Sequence, residues 1–169
     1  VTIVEMAQDA LDRGVGVIRK NYEASAAKGR FTTDKVEAMM GLLTPSLSFD
    51  DLADCDLVIE AVYESMAVKK DVFGKLDAIV KQGAILASNT SYLNLDDMGA
   101  ELPLQERFIG LHFFNPAHRM KLLEVVKTAA VAPQILSTAL SFGKRLGKTC
   151  VISGVGEGFI GNRIYSAYR

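Results

Sequence analysis

The sequence has 169 residues, a net charge of −1 and an apolar fraction of 49%. A chain of this length can bury one good hydrophobic core, and its balanced charge provides no strong attraction to nucleic acid or to a membrane surface. No apolar run is long enough to span a bilayer. Cys55 and Cys150 have no metal-binding spacing, so we expect free thiols and no metal site. These features argue against function classes that need a strongly charged surface, a membrane span or a cysteine-bound metal.

The first third of the chain predicts a short strand followed by two helices. Val1–Val4 consists of β-branched residues and predicts a strand that ends at Glu5. Apolar residues then recur every three or four positions as far as Gly29, which predicts one long amphipathic helix. Thr33 is a candidate N-cap for a second helix. The two helices predict a helical-hairpin insertion in an otherwise alternating pattern.

The rest of the chain alternates short apolar runs with segments of helical periodicity. Strands are predicted at Ser46–Phe49, Leu57–Val62, Ala84–Ser88, Phe108–Phe113, Leu122–Lys127 and Thr149–Ile152. Helices are predicted around Val72–Val80 with Gly83 closing the helix, over Pro133–Leu146, and from Gly158 onward. Near-continuous apolar strands need helices on both faces of their sheet. The pattern therefore predicts an α/β fold with a doubly wound, mainly parallel sheet.

Polar residues follow several of these strands, where doubly wound sheets bind their ligands. At the end of the first strand, Glu5 can accept hydrogen bonds from both ribose hydroxyls of an adenine dinucleotide and repel a 2′-phosphate. A structural explanation stays open, because any strand can end in an acid. The SNTS segment at residues 88–91 favours a simple turn. The alternative is a set of hydroxyl and amide groups that face a nicotinamide and a substrate oxygen.

His112 and Glu124 lie on two successive apolar strands. A lone histidine in such a strand is usually a core residue, but a carboxylate surrounded by the apolar residues of 122–126 needs a partner if it is buried. A hydrogen bond to Glu124 fixes the tautomer of the ring and raises its basicity. We therefore expect His112 and Glu124 to pair as a general base for an alcohol proton.

The glycine cluster Gly154–Gly158 is similar to a phosphate-binding loop. However, Phe159 occupies the position of the third glycine in the G-x-G-x-x-G spacing, and we interpret the cluster as a connection to a further helix. The sequence opens on Val1 without a methionine. We expect it to be a fragment that lacks the first strand and the glycine-rich loop of a dinucleotide-binding domain.

Four segments, in this order, resemble NAD-dependent 3-hydroxyacyl-CoA dehydrogenases. They are SNTSYL at residues 88–93, GLHFFNP at 110–116, MKLLEVV at 120–126 and GFIGNR at 158–163. The segment IRKNYE and the ending SAYR are similar to the dehydrogenase part of bacterial multifunctional fatty-acid oxidation proteins, in which an enoyl-CoA hydratase lies on the same chain. The resemblance implies a Rossmann-like NAD-binding domain over residues 1–155, incomplete at its N-terminus. Residues 156–169 are then a linker and the truncated start of a helical C-terminal domain.

The same resemblance implies roles for particular side chains. The implied catalytic group comprises His112 as the base, Glu124 as the carboxylate that orients it, Ser91 as a ligand of the substrate 3-oxygen, and Asn162. Cofactor contacts are implied at Glu5, Glu64, Lys69, Ser91 and Asn115. Substrate contacts are implied at Ser91, at Asn115 and, for the CoA phosphates, at Lys28, with Asn21 as a weaker candidate.

The implied reaction is the oxidation of (S)-3-hydroxyacyl-CoA to 3-ketoacyl-CoA by NAD in fatty-acid β-oxidation. Two alternatives are a biosynthetic 3-hydroxybutyryl-CoA dehydrogenase and a non-catalytic binding relative, and the presence of the whole catalytic group argues against the second. Glu5 stands where an aspartate is frequent and still disfavours NADP. We further expect an acyl-CoA substrate, a bacterial cytoplasmic location and a homo-oligomer formed through the missing C-terminal domain. The fragment as given is expected to be inactive.

Overall fold

The computed structural model describes residues 1–168. These residues are divided between two compact units. The first unit is Val1–Ala53, and the second begins at Asp54. Within the described residues, no helix is both long enough and apolar enough to cross a membrane.

In the first unit, two short parallel strands are connected through two helices. Strand β1 (Thr2–Val4) leads to α1 (Gln8–Ala27) and α2 (Thr33–Met40), and β2 (Thr44–Ser46) then pairs with β1. Val36 is 1% exposed. A salt bridge of 2.5 Å between Arg19 and Glu37 joins the two helices. The predicted helical hairpin is therefore confirmed.

Two local expectations in this unit are wrong. The N-cap of α2 is Thr32 rather than Thr33, because Thr32 has the extended backbone of a cap and its hydroxyl accepts a hydrogen bond from the Lys35 N–H. The second strand lies at Thr44–Ser46 rather than 46–49. It ends early because Ser48 caps a 3-10 turn that begins at Phe49.

The second unit contains a five-stranded sheet. Its spatial order is β3 (Leu57–Glu60), β4 (Ile85–Ser88), β5 (Phe108–Phe113), β6 (Leu122–Lys127) and β7 (Thr149–Gly154). All neighbours are parallel except β5 and β6, which are antiparallel. The helices of this unit are α3 (Met66–Ile79), α4 (Leu95–Gly99), α5 (Pro133–Arg145) and α6 (Gly161–Ala167). The predicted α/β architecture with a mainly parallel sheet is confirmed, and so are the bounds of β5 and β6.

Several element ends in this unit differ from the sequence-based predictions. Strand β4 begins at Ile85 rather than Ala84, α5 ends at Arg145 rather than Leu146, and β7 extends to Gly154 rather than Ile152. Strand β3 ends at Glu60, because the Val62 N–H donates to the Glu60 carboxylate instead of to a neighbouring strand. Helix α3 ends at Ile79, well before Gly83. Helix α6 begins at Gly161 rather than near Gly158, because Gly158 and Phe159 have φ angles of 69° and 47°, which a right-handed helix does not allow.

The core of this unit lies around β4, β5 and β6. The side chains of Leu86, Ile109, Leu111, Leu123 and Val125 are each 0% exposed. Full burial of one such side chain contributes about 1.5–3 kcal/mol relative to exposure. The central strands are thus held firmly, and the polar residues at their ends are attached to a rigid support.

Gly143 in α5 and Gly74 in α3 form a matched pair for testing this packing. A Cβ at Gly143 would lie 2.4 Å from the Cys150 sulfur and 2.8 Å from a Leu123 methyl group, whereas nothing lies within 4 Å of a Cβ at Gly74. We expect Gly143→Ala to lower the free energy of unfolding by about 1–3 kcal/mol through overpacking. Gly74→Ala should instead raise it by about 0.5–1 kcal/mol through helix propensity. Urea unfolding measures both, and equal effects of the two substitutions would contradict the packing described.

Candidate active site

His112 and Glu124 face each other across the antiparallel pair of β5 and β6. The short connection of residues 114–121 returns the chain directly beside β5, and the register makes His112 and Glu124 direct partners. The Nδ1 atom of His112 lies 2.7 Å from Oε2 of Glu124, and the residues are 4% and 1% exposed. The hydrogen bond expected from the sequence is confirmed.

The second oxygen of Glu124 is held by the start of α6. Its Oε1 accepts hydrogen bonds from the N–H groups of Ile160, at 2.9 Å, and Gly161, at 2.7 Å. Only glycine fits at position 161 without rearrangement, because a Cβ there would lie 2.7 Å from the ring of Phe114. Three donors therefore compensate the loss of water around a buried carboxylate and fix its orientation.

The other ring nitrogen of His112 faces Ser91. Because Nδ1–H donates to the carboxylate, the neutral ring has its lone pair at Nε2, which lies 3.1 Å from the Ser91 hydroxyl. The rings of Phe114 and Phe159 lie 4.6 Å and 5.6 Å from the imidazole ring, centre to centre. The imidazole thus has one fixed tautomer, apolar neighbours and an acceptor nitrogen beside a hydroxyl group.

Glu64 connects the loops that follow β3 and β4. Its carboxylate accepts hydrogen bonds from the Thr90 hydroxyl and from the Ser91 N–H, the latter at 3.0 Å. Burial raises the pKa of the Glu64 carboxyl, but these two hydrogen bonds and the Lys69 charge outweigh burial and leave that pKa below its ordinary value. The side chain is 41% exposed. Glu64 therefore presents an ionised carboxylate at the carboxyl end of the parallel strands.

Lys69 lies beneath Glu64 and is 1% exposed. Its ammonium group is 2.6 Å from Glu60 and 3.3 Å from Glu64. The partners of the ammonium group are these two carboxylates and the Val62 carbonyl, to which it donates at 3.3 Å. The contact between Lys69 and a dinucleotide stays a prediction.

The remaining predicted site residues occupy the surface or its edge. Asn162 is the second residue of α6 and adjoins Gly161, while Asn115 follows β5 and is exposed. In the first unit, Glu5 follows β1 and its carboxylate accepts the Met6 N–H at 2.8 Å. Lys28 is exposed at the C-terminal end of α1. Their contacts with cofactor or substrate stay predictions.

Sequence reasoning missed two contributors to the site. Glu60 is a carboxylate among the apolar residues of the predicted strand Leu57–Val62, and the cost of burying it unpaired, the signal used for Glu124, could have identified it. Phe159 and the two N–H groups that follow it gave no recognisable signal, since the left-handed backbone that orients them is not encoded in a side-chain pattern. Among the described residues, no group of histidine, cysteine, aspartate and glutamate is arranged to hold a metal ion.

The sequence and the fold match a known family. The sequence profile of "3-hydroxyacyl-CoA dehydrogenase, NAD binding domain" matches residues 1–164. The glyoxysomal fatty acid beta-oxidation multifunctional protein MFP-a of Brassica napus is 39% identical over 168 residues. The alignment covers 99% of this chain and 23% of that protein, so the chain spans about a quarter of the relative's length.

Solved structures agree with this match. FadB2 of M. tuberculosis is 35% identical, with a TM-score of 0.96, over 99% of this chain and 60% of that chain. The 3-hydroxybutyryl-CoA dehydrogenase of Escherichia coli K12 is 34% identical, also with a TM-score of 0.96, over 99% of this chain and 36% of that chain. The chain therefore belongs to the family of NAD-binding domains of 3-hydroxyacyl-CoA dehydrogenases, and its fold is of the Rossmann type.

Proposed function

We propose that this chain provides the NAD-binding domain and the acid–base group of an NAD-dependent (S)-3-hydroxyacyl-CoA dehydrogenase of fatty-acid β-oxidation. The observation that carries the proposal is the position of His112, between the Glu124 carboxylate at 2.7 Å and the Ser91 hydroxyl at 3.1 Å. A neutral imidazole with a fixed tautomer and an accepting Nε2 is suited to remove a hydroxyl proton. The family match supports the choice of reaction.

The chemistry divides between the cofactor and the protein. A bound NAD would supply the acceptor for the hydride that leaves the carbon bearing the hydroxyl group. His112 accepts the hydroxyl proton at Nε2, and the resulting imidazolium is stabilised by the Glu124 carboxylate at Nδ1. The Ser91 hydroxyl binds the same substrate oxygen and holds it near Nε2. Asn162 and Asn115 are proposed to complete the substrate and cofactor contacts.

The carboxylates at the strand ends fit the polar groups of a dinucleotide. Glu64 is exposed and has a lowered pKa, so it is ionised at neutral pH and can accept hydrogen bonds from ribose hydroxyls. Glu5 is exposed at the carboxyl end of β1, where a carboxylate accepts a ribose diol and repels a 2′-phosphate. Glu5 therefore supports NAD rather than NADP, and Glu64 supports a dinucleotide.

A 3-hydroxybutyryl-CoA dehydrogenase is the second candidate. The 34% sequence identity between this chain and the E. coli enzyme of that name favours this candidate. Both candidates use the same acid–base group and differ in the acyl chain. A non-catalytic role is disfavoured, because nothing in the packing of the sheet requires a hydroxyl, an imidazole and a buried carboxylate to lie in one hydrogen-bonded line.

Location and assembly stay predictions. The relative from Brassica napus is named as glyoxysomal and a second one, from Arabidopsis thaliana, as peroxisomal, whereas the structural relatives cited above are bacterial. A bacterial cytoplasmic location, a homo-oligomer and an enoyl-CoA hydratase on the same chain are proposed from the sequence resemblance alone. Cell fractionation and a mass measurement of the purified protein test them.

All activity measurements use the full-length protein, and Glu124→Gln in that protein tests the acid–base assignment. The amide carries no charge to stabilise the imidazolium, so kcat is expected to fall by about two orders of magnitude. Far-UV circular dichroism should be unchanged. Glu157→Gln makes the same substitution at an exposed position and should retain full activity. A kcat for Glu124→Gln within twofold of the wild-type value would refute the assignment.

Glu5 is expected to determine the choice of cofactor. The wild-type enzyme should have a higher kcat/KM with NAD than with NADP, because the Glu5 carboxylate repels a 2′-phosphate. Glu5→Ala should narrow this ratio, whereas Asp12→Ala, an exposed acid on α1, should not. Turnover is measured with both cofactors at equal concentration. Equal or better use of NADP by the wild type would contradict the role of Glu5.

Lys28 is proposed to contact the phosphates of CoA. One exposed charge pair contributes up to about 1 kcal/mol, so Lys28→Ala should raise KM for the acyl-CoA by up to about fivefold and leave kcat unchanged. Lys20→Ala removes another exposed lysine of α1 and is the control. The rise in KM should diminish at high salt. Identical KM values for the two variants would show that Lys28 is a solvated surface residue.

A further inference from the structure

Glu60, the last residue of β3, is a buried carboxylate that takes no part in the proposed reaction. Its side chain is 0% exposed. It accepts hydrogen bonds from the Lys69 ammonium group at 2.6 Å, the Val62 N–H at 2.6 Å and the Ser88 hydroxyl at 2.7 Å. These donors belong to different segments, so a single carboxylate joins the loop after β3, the helix α3 and the end of β4.

One oxygen of Glu60 binds Lys69, which in turn contacts Glu64. Oε1 binds both Lys69 and the Val62 N–H, and Lys69 in turn lies 3.3 Å from Glu64. The ammonium group is therefore shared unequally between two carboxylates, and the buried one is closer. This leaves Glu64 attracted to Lys69 but able to keep its bonds to Thr90 and Ser91.

The other oxygen of Glu60 forms a hydrogen bond within the segment that contains Ser91. Oε2 accepts from the Ser88 hydroxyl, whose oxygen accepts the Thr90 N–H at 3.2 Å. The backbone carbonyl of Glu60 also accepts the Asn89 N–H at 2.8 Å. Glu60 is thus connected to Glu64 through Lys69, and to the segment that contains Ser91 through Ser88.

We propose that Glu60 is a positioning residue, which holds the Ser91 hydroxyl opposite Nε2 of His112 through Lys69 and Glu64. The inference rests on the proposed function and extends it to a residue that has no contact with His112. Its negative charge is the essential property. With a neutral side chain at position 60, Glu64 is the remaining counter-charge within reach of a buried ammonium group. Lys69 faces Oε2 of Glu64, whereas Thr90 and Ser91 donate to its Oε1. A movement of the Glu64 carboxylate toward Lys69 then weakens the two hydrogen bonds at Oε1, and the Ser91 hydroxyl loses its fixed place.

A double-mutant cycle between Glu60 and Ser91 tests this route. Glu60→Gln keeps the shape of the side chain and should lower kcat/KM for the acyl-CoA substrate by about tenfold, the scale of a modest misplacement of a reacting group. In a Ser91→Ala background the same substitution should have less than a twofold effect, because residues that act through one contact are not additive. An undiminished tenfold effect in that background would overturn the proposal.

Asp77→Asn is the matched control for the loss of a buried ion pair. Asp77 binds Arg107, whose side chain is 6% exposed, and neither residue contacts the Glu60 network. This variant should lower stability and leave kcat/KM unchanged. If Asp77→Asn and Glu60→Gln reduced kcat/KM in proportion to their loss of stability, the role of Glu60 would be structural and the proposal would be wrong.

Amide hydrogen exchange provides a readout that needs no activity. The Ser91 N–H is bonded to Glu64, so Glu60→Gln should speed its exchange by about tenfold. The amide of Leu111 in the core should be unaffected. An unchanged Ser91 exchange rate would overturn the positioning role even in an active enzyme. Absence of dehydrogenase activity in the full-length wild-type protein would refute the proposed function, and the exchange measurement would still decide whether Glu60 positions Ser91.

Discussion

The burial of the Glu124 carboxylate is the constraint on which the site depends. An unpaired carboxylate in this position would lose several kcal/mol of solvation free energy. The fold supplies a ring N–H from β5 and two backbone N–H groups from the start of α6. The antiparallel register, the missing side chain at Gly161 and the left-handed backbone before α6 all serve to bring these donors to one residue.

The loops after β3 and β4 stabilise a second carboxylate, that of Glu64, in a different way. The carboxylate of Glu64 remains partly exposed. Its ionised form is stabilised by hydrogen bonds from Thr90 and Ser91 and by the charge of Lys69. The same donors place Ser91 beside His112. A continuous path of polar contacts therefore runs from the end of β3 to the start of α6. Glu60, at the β3 end of this path, is buried. Glu64, the next carboxylate along the path, is partly exposed and accessible to a ligand.

The sequence was informative where side-chain chemistry alone decides the structure. The apolar runs around His112 and Glu124 predicted two strands with the correct bounds, and the cost of an unpaired carboxylate predicted their hydrogen bond. It was less informative where the backbone decides. The positive φ of Phe159 is adopted because neighbouring contacts impose it, and no propensity indicates it. The burial of Lys69 was missed for a similar reason, since its partner Glu60 lies nine positions earlier, on the preceding strand.

The two oxygens of Glu124 explain why a carboxylate stands at this position. One oxygen must accept from the His112 ring and the other from the N–H groups of Ile160 and Gly161. A glutamine has only one accepting oxygen, so its NH₂ group would face either the Nδ1–H of His112 or the two N–H groups of α6. An aspartate has both acceptors but is one methylene shorter, and cannot keep both sets of contacts without backbone movement. The carboxylate therefore couples the tautomer of the base to the position of α6, and either can change only if the other adjusts.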